Sequence, residues 1–379
     1  MKIKVNNNIL VWARKSLNLS QDIVAKRMGK NVETIRNWEE GRDFPTYAQL
    51  EKLSYSIYKK PIAIFFFPEP PNNVKRQDKN FRTLDNDVFM EIPSKILEKV
   101  NEARVMQLNL QEISISEKKY IQNFNLNIYD NRIYSIIRQK LNVSLDAQKS
   151  IKKYSEAFEI WRNALYECGV YVFKDAFKEN EFSGFCLYDE KFPVIYINNS
   201  ISFSRQIFTL FHELCHIIIK TNGIDKIDDD YLERLSNKNK KIETFCNCFA
   251  GNFLVPDEDL LKEIDKIELN NKNIEKISKI YKVSSEVIYR KLLNLNKISK
   301  EMYEKVHNDL KKENYRLNNK NNNGGDYYNT KKSYLGSNYI LDVYQNYYDG
   351  KINIYDVSNY LNIKIENIPN LGNTLKTNY

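Results

Sequence analysis

The chain has 379 residues, 42% hydrophobic and 28% charged, which is too long for one ordinary core and calls for two or three soluble domains. No apolar run reaches the roughly eighteen residues of a membrane span, and the start "MKIKVNNNILVWARK" lacks an apolar stretch with a cleavage site, so the expected location is the cytoplasm, with no membrane partner. Five cysteines without regular spacing argue against a disulfide framework, and the net charge of +9 permits a nucleic-acid partner.

That charge is concentrated at the start: the first sixty residues hold 12 Lys/Arg against 6 Asp/Glu. Ile9–Lys15 is apolar at helical spacing. Ser20 is placed to cap a second helix whose apolar face is Ile23, Val24 and Met28, and Gly29 supplies the turn after it. A third helix over about Val32–Glu40 turns Ile35 and Trp38 inward and stops at Gly41, and a fourth follows Pro45 at Tyr47–Tyr58. Two short helices joined by a glycine turn form a helix-turn-helix pattern. The segment "LSQDIVAKRMGKNVETIRNWEEGRDFPT" resembles the Xre/lambda-repressor-type helix-turn-helix family. That resemblance implies binding to a double-stranded DNA operator, with Val32, Glu33, Arg36 and Asn37 reading bases and Gln21, Lys30, Asn31 and Arg42 touching phosphates. Arg36 and Asn37 can each form two hydrogen bonds, to guanine and adenine respectively. A protein-docking module without DNA binding is the competing expectation.

Next, "PIAIFFFPEPP" is expected to strap this unit onto its neighbour, with Pro68, Pro70 and Pro71 marking a boundary. "NFRTLD" leads into a helical connector over about Pro93–Leu141. A helix ending at Trp161–Cys168 precedes three expected strands, Val170–Phe173, Gly184–Tyr188 and Val194–Asn198, rich in β-branched and aromatic residues.

The chemistry is concentrated in "TLFHELCHIII" (209–219), which holds two of the chain's three histidines. On a helix starting near Ser204, His212 and His216 share one face, and Glu213 lies one step round. A metalloprotease needs this arrangement: two imidazoles for zinc and a carboxylate to take the proton of the attacking water. A third ligand must come from elsewhere. "KKIETFCNCFAGNFLVP" is expected to be helical from about Lys240 to Phe253, with Glu243 able to supply that ligand. Asn247, one turn on, can hydrogen-bond the second nitrogen of a ligand histidine. The competing expectation is a core helix with hydrogen-bonded histidines. The Cys246-x-Cys248 pair is a weak second candidate for metal. Tyr231, Tyr196 and Arg205 are open candidates to stabilise an oxyanion.

"FSGFCLYDEKFPVIYINNS", "RQIFTLFHELCH" and "ETFCNCFAGNFLVP" resemble the ImmA/IrrE family of metallopeptidases, over about Trp161–Leu293. The resemblance implies a zincin-like, gluzincin-type α+β domain in which His212, His216 and Glu243 bind Zn2+ and Glu213 is the base. It further implies a protein substrate, a repressor encoded nearby, whose cleavage releases a mobile element or a stress response. Cys246 stands where family members usually have alanine, and Phe253-Leu254-Val255 where they have Leu-Leu-Met. A transcription regulator with a structural or sensory zinc site stays open as a second function.

The remainder, "NIEKISKIYKVSSEVIYRKLLNLNKIS" and "IYDVSNYLNIKIENIPNL", repeats a helix–turn–helix rhythm around Val283-Ser284 and Leu361-Asn362-Ile363 and is expected to pack against the catalytic domain. "KKENYRLNNKNNNGGDYYNTKK" between them reads as a loop, and the tyrosines from 327 to 348 as bundle packing. The expected architecture is multidomain and mainly α: a helix-turn-helix domain (1–70), a helical connector (71–150), the metallopeptidase domain with a small sheet (151–300), and a helical C-terminal region (301–379).

Overall fold

The computed structural model describes residues 2–71, 92–113, 132–179, 181–226, 233–265, 267–317 and 326–376. Two compact units emerge: Met1–Glu102 with Phe177–Glu179 and Arg234–Asn239, and the remaining residues. The chain is mainly helical, with an N-terminal helix-turn-helix region, a central four-stranded mixed sheet flanked by helices, and C-terminal helices.

In the first unit, α1 (Asn7–Lys15), α2 (Gln21–Met28), α3 (Val32–Glu39) and α4 (Tyr47–Glu51) form in that order, and π-type turns continue α4 over Lys52–Tyr58. The turn between α2 and α3 is built as its residues dictate. Ser20 caps α2, Gly29 ends it at φ 67°, and Asn31 caps α3 by accepting from the Thr34 amide. Val24 and Met28 are buried with Ile35 and Trp38, but Ile23, expected on that face, is 42% exposed. The buried face of α2 runs through Val24, Ala25 and Met28, and Ile23 falls at its edge. Ile62–Phe66 forms a single 3-10 turn held to the start of α1, where the Asn6 amide donates to the Phe65 carbonyl (2.9 Å).

The helical connector reads as α5 (Ser94–Glu112), α6 (Ile133–Leu141) and α7 (Leu145–Ser150). Residues 80–85 and the stretch 114–131 lie outside the described residues. After α8 (Tyr154–Glu167) come β1 (Tyr171–Asp175), β2 (Phe182–Leu187) and β3 (Val194–Asn198). The motif helix α9 (Phe203–Ile218) follows, then β4 (Gly223–Lys226), a strand too short and too poor in β-branched residues to be expected from its sequence. The sheet order is β1-β3-β2-β4, with β1 and β3 parallel and the other pairs antiparallel.

Period-two alternation gives this sheet two different faces. Val172, Cys186, Ile195 and Ile197 join Trp161, Leu210, Phe211 and Leu214 in one core beneath α8 and α9. Phe173, Tyr196 and Phe185 form a ladder of rings on the other face. Beyond β4 are α10 (Asn237–Leu254), α11 (Asp257–Ile264), α12 (Asn271–Tyr281), α13 (Ser285–Asn294) and α14 (Lys300–Leu317). The chain ends in α15 (Tyr327–Leu335), α16 (Ser337–Tyr348), α17 (Ile354–Leu361) and α18 (Ile368–Lys376).

The helix–turn–helix rhythm has one structural cause. Asn142, Lys282 and Asn362 all end helices in the left-handed region, at φ 53°, 61° and 48°, and each next residue's amide bonds back to the last helical turn. Helix α13 packs inward: Ile288, Tyr289, Lys291 and Leu292 are buried, and Glu286 meets His307 of α14 at 2.9 Å. Of the expected loop over 311–332, the flanks are helical, since α14 runs to Leu317 and α15 begins at Tyr327, and residues 318–325 lie outside the described residues. Of the tyrosines there, Tyr339 and Tyr344 are buried while Tyr348 is 77% exposed, so bundle packing accounts for only some of them.

Candidate metal centre

Helix α9 carries the motif through the middle of the core. Ser202 caps it, and every residue from Thr209 to Ile217 is buried. A helix apolar on all sides can be accommodated only inside a core, so its polar residues must find partners within the protein. His212 and His216 point their Nε2 atoms at each other, 3.2 Å apart. Glu243 on α10 completes the group, with Oε2 3.2 Å from His212 Nε2 and Oε1 3.4 Å from His216 Nε2. On the outer side, His212 Nδ1 lies 2.9 Å from Asn247 Oδ1, and His216 Nδ1 lies 3.1 Å from Thr221 Oγ1.

These residues fit a metal ion. With the Nδ1 protons assigned to Asn247 and Thr221, both Nε2 lone pairs and the Glu243 carboxylate converge as three acceptors with no donor among them. Bonds of about 2.0–2.1 Å at tetrahedral angles place ligand atoms about 3.3–3.4 Å apart, close to the 3.2 Å between the two Nε2 atoms, each of which has its own Glu243 oxygen at 3.2 or 3.4 Å. Among the described residues these three side chains are the group placed to hold a metal. Cys246 is buried whereas Cys248 is exposed, so the Cys-x-Cys pair does not converge.

The electrostatics point the same way. Burial opposes charge on His212, but Asp225 and Glu243 outweigh it and push the imidazole up to about 10. Burial would raise the Glu243 carboxyl too, but His216 and His212 hold it far below the usual carboxylate range. His212 and Glu243 thus each favour the charged form of the other. Glu213, fully buried beside the cluster, is pushed up to about 7 by burial, with the two histidines opposing. Apart from the Cys186 thiol, its carboxylate oxygens have no hydrogen-bond partner among the described residues.

Strand β4 closes one side of the site. Gly223 pairs with Cys186, and Asp225 with Gly184, so residues 223 and 225 both face α9. Asp225 is buried and accepts from Ser183 Oγ (2.6 Å), Thr209 Oγ1 (2.9 Å) and Arg205 Nη2 (2.9 Å). Although burial works against it, Arg205 above all keeps the Asp225 carboxyl below its usual range. Thr209 lies one helical turn before Glu213, so the strand runs alongside the helix face that carries the chemistry. Arg205 is committed to Asp225, and Tyr196 belongs to the ring ladder on the opposite face of the sheet. Neither is placed to stabilise an oxyanion, and Tyr231 lies outside the described residues.

Thr221, Gly223 and Asp225 were not anticipated from sequence. The available signal was the alternation of Gly223 and Asp225 just past the motif helix, which marks a strand with one special face.

The N-terminal residues named for DNA contact are distributed as follows. Lys30, Glu33, Arg36 and Arg42 are exposed, with Arg36 paired to Glu33 at 3.1 Å and Arg42 to Glu40. Val32 and Asn37 are partly exposed, and the Asn31 side chain is occupied as the α3 cap. Gln21 donates to Glu39 Oε2 (2.8 Å), and Arg14 grips the same carboxylate with Nε on Oε1 (2.6 Å) and Nη2 on Oε2 (2.9 Å).

Fold and site together define a helix-turn-helix unit joined in one chain to a metallopeptidase-like domain, whose His212, His216 and Glu243 group comes from two helices beside a small sheet. Residues 167–293 match the family model of the IrrE N-terminal-like peptidase domain, and residues 10–54 match a helix-turn-helix family model. No curated protein matches the chain. Among the described residues no helix is long and apolar enough to cross a membrane.

Proposed function

We propose that the chain is a DNA-binding, zinc-dependent endopeptidase that cleaves a transcriptional repressor or related regulator encoded nearby, derepressing a mobile element or a stress response. The observation that carries this reading is Glu213: a buried carboxylate, poised near neutrality, beside a three-acceptor cluster that a cation would complete. A purely structural or sensory zinc site has no use for a base in that position.

In this reading His212, His216 and Glu243 hold zinc, and zinc when bound supplies the positive charge that polarises the scissile carbonyl and acidifies water. Glu213 receives the water proton on its carboxylate and returns it to the leaving amine. Asn247 and Thr221 hold the ligand rings, and the buried surroundings exclude bulk water. Base reading is assigned to Val32, Glu33, Arg36 and Asn37, and phosphate contact to Gln21, Lys30, Asn31 and Arg42. Gln21 and Asn31 already hold Glu39 and the start of α3, so they would contribute by setting the recognition helix. The division at residues 70, 150 and 300 belongs to the same proposal.

The test is incubation of the purified, zinc-loaded chain with the repressor encoded beside its gene. Wild type is expected to produce discrete fragments, and Glu213→Gln none while retaining zinc. Equal regulation by both proteins in cells with no fragment would sink the peptidase reading. In parallel, Arg36→Ala should weaken binding to the promoter fragment of that neighbouring gene at moderate salt.

A further inference from the structure

We infer that Thr221 is a positioning residue of the metal site: its hydroxyl fixes His216 as the tautomer protonated on Nδ1, which aims the Nε2 lone pair at His212 and Glu243. This rests on the reading of His212, His216 and Glu243 as metal ligands.

Helix α9 ends at Ile218, and Lys220 turns the chain back in the left-handed region at φ 59°. The turn brings Thr221 under the last helical turn, where its amide donates to the His216 carbonyl at 2.8 Å. The same carbonyl receives the Thr221 hydroxyl proton at 3.3 Å. A threonine hydroxyl has one proton and two lone pairs. With the proton on the carbonyl, a lone pair is left facing His216 Nδ1 at 3.1 Å, and that nitrogen must carry the hydrogen. Thr221 sits against β2, its carbonyl oxygen 3.8 Å from Cys186 Sγ.

The other sides of the ring leave no room to turn away. A Cβ on Gly223 would fall 2.5 Å from His216 Cδ2, so the β4 backbone lies against the imidazole. His216 is 0% exposed, so water is not at hand to replace the hydroxyl. His212 is supported differently, by the Asn247 amide from within α10. One ligand histidine is thus fixed by a helix, the other by the turn between α9 and β4. Thr221 belongs to neither of the motifs that carry the ligands.

The experiment uses the full chain, stripped with a chelator and titrated with Zn2+ against a chromophoric competitor. Thr221→Val keeps the side-chain shape and loses the hydroxyl, and is expected to bind zinc 10–100-fold more weakly. Thr221→Ser is expected to stay within a few-fold of wild type, and metal-free Thr221→Val to fold with a thermal midpoint only a few degrees lower, because the buried Nδ1–H loses its acceptor. Equal zinc affinity of wild type and Thr221→Val overturns the inference, as does a serine variant as weak as the valine one. Wild type that binds no zinc overturns the metal-site reading first and this inference with it. Should the valine variant not fold, wild type still decides. The chain has three histidines, so long-range 15N–1H spectra of 15N-histidine-labelled, zinc-loaded protein resolve each ring. His216 protonated on Nδ1 supports the inference; ligation through Nδ1, or a proton on Nε2, overturns it.

Discussion

At the scale of single residues, the site divides into what spacing reveals and what only folding creates. His212, Glu213 and His216 are legible because helical periodicity alone determines which side chains share a face. Glu243 and Asn247 are legible for the same reason one helix later. Gly223 is not, because its requirement arises where a strand passes over the helix: an added Cβ would lie 2.5 Å from His216 Cδ2 and 2.8 Å from Glu213 Oε2. Both neighbours are buried and held, so neither can yield cheaply. Gly223→Ala is therefore expected to cost about 1–3 kcal/mol through overpacking. It should lower zinc affinity more than an alanine at Gly251, whose nearest neighbour is the flexible Lys291 chain at 3.9 Å. Chemical denaturation and zinc titration of the two variants check this. If Gly223→Ala behaves like Gly251→Ala in both, the strand does not press on the site as described.

At the scale of elements, the question is what keeps β4 laid along α9. Three parallel or antiparallel strands with β-branched and aromatic residues could be anticipated, but β4 has only four residues and owes its place to side chains. The Asp225 carboxylate, with donors from β2 and α9, provides that hold. Gly184 makes it possible, since a Cβ there would come within 2.6 Å of Thr209 Cγ2. Helix α10 has a comparable hold at its far end: Arg138 donates to the Phe253 carbonyl and Gln148 to that of Leu254, so α6 and α7 cap α10. Breaking a buried ion pair costs about 3–5 kcal/mol, and Asp225→Asn should fall at the low end because 26% of the Arg205 side chain stays exposed. The sign with pH follows from the depressed carboxyl. The stabilisation is complete above the ordinary carboxylate range, near 3.9, and is lost as pH falls through the lower folded value. The acid limb of the stability curve, measured by urea unfolding from pH 6 down to pH 2, should therefore be shallower for Asp225→Asn than for wild type. Parallel curves would rule out this role.

At the scale of the second unit as a whole, composition could announce a helical C-terminal region but not what it covers, because nothing in a local pattern says which sheet face lacks a partner. The ring ladder of Phe173, Tyr196 and Phe185 is that face, and the Phe173 and Tyr339 rings meet edge-on at 5.2 Å. Arg162, buried at 3% exposure in α8, fastens the arrangement by donating to the Ser333 and Tyr334 carbonyls (both 2.8 Å) at the end of α15. The C-terminal helices thus complete the core of the peptidase-like domain from behind, while His212, His216 and Glu243 lie on the α9 side of the sheet. Removing residues 327–379 should then strand a buried guanidinium without two of its acceptors and uncover a contiguous apolar face. The expected result is a lower thermal midpoint and binding of a hydrophobic-surface dye, with zinc affinity of the folded fraction unchanged because His212, His216, Glu243, Asn247 and Thr221 are not among the residues removed or uncovered. Calorimetry, dye fluorescence and zinc titration of the shortened chain measure the three. A shortened chain as stable and as dye-silent as the full one would mean that these helices are an independent appendage.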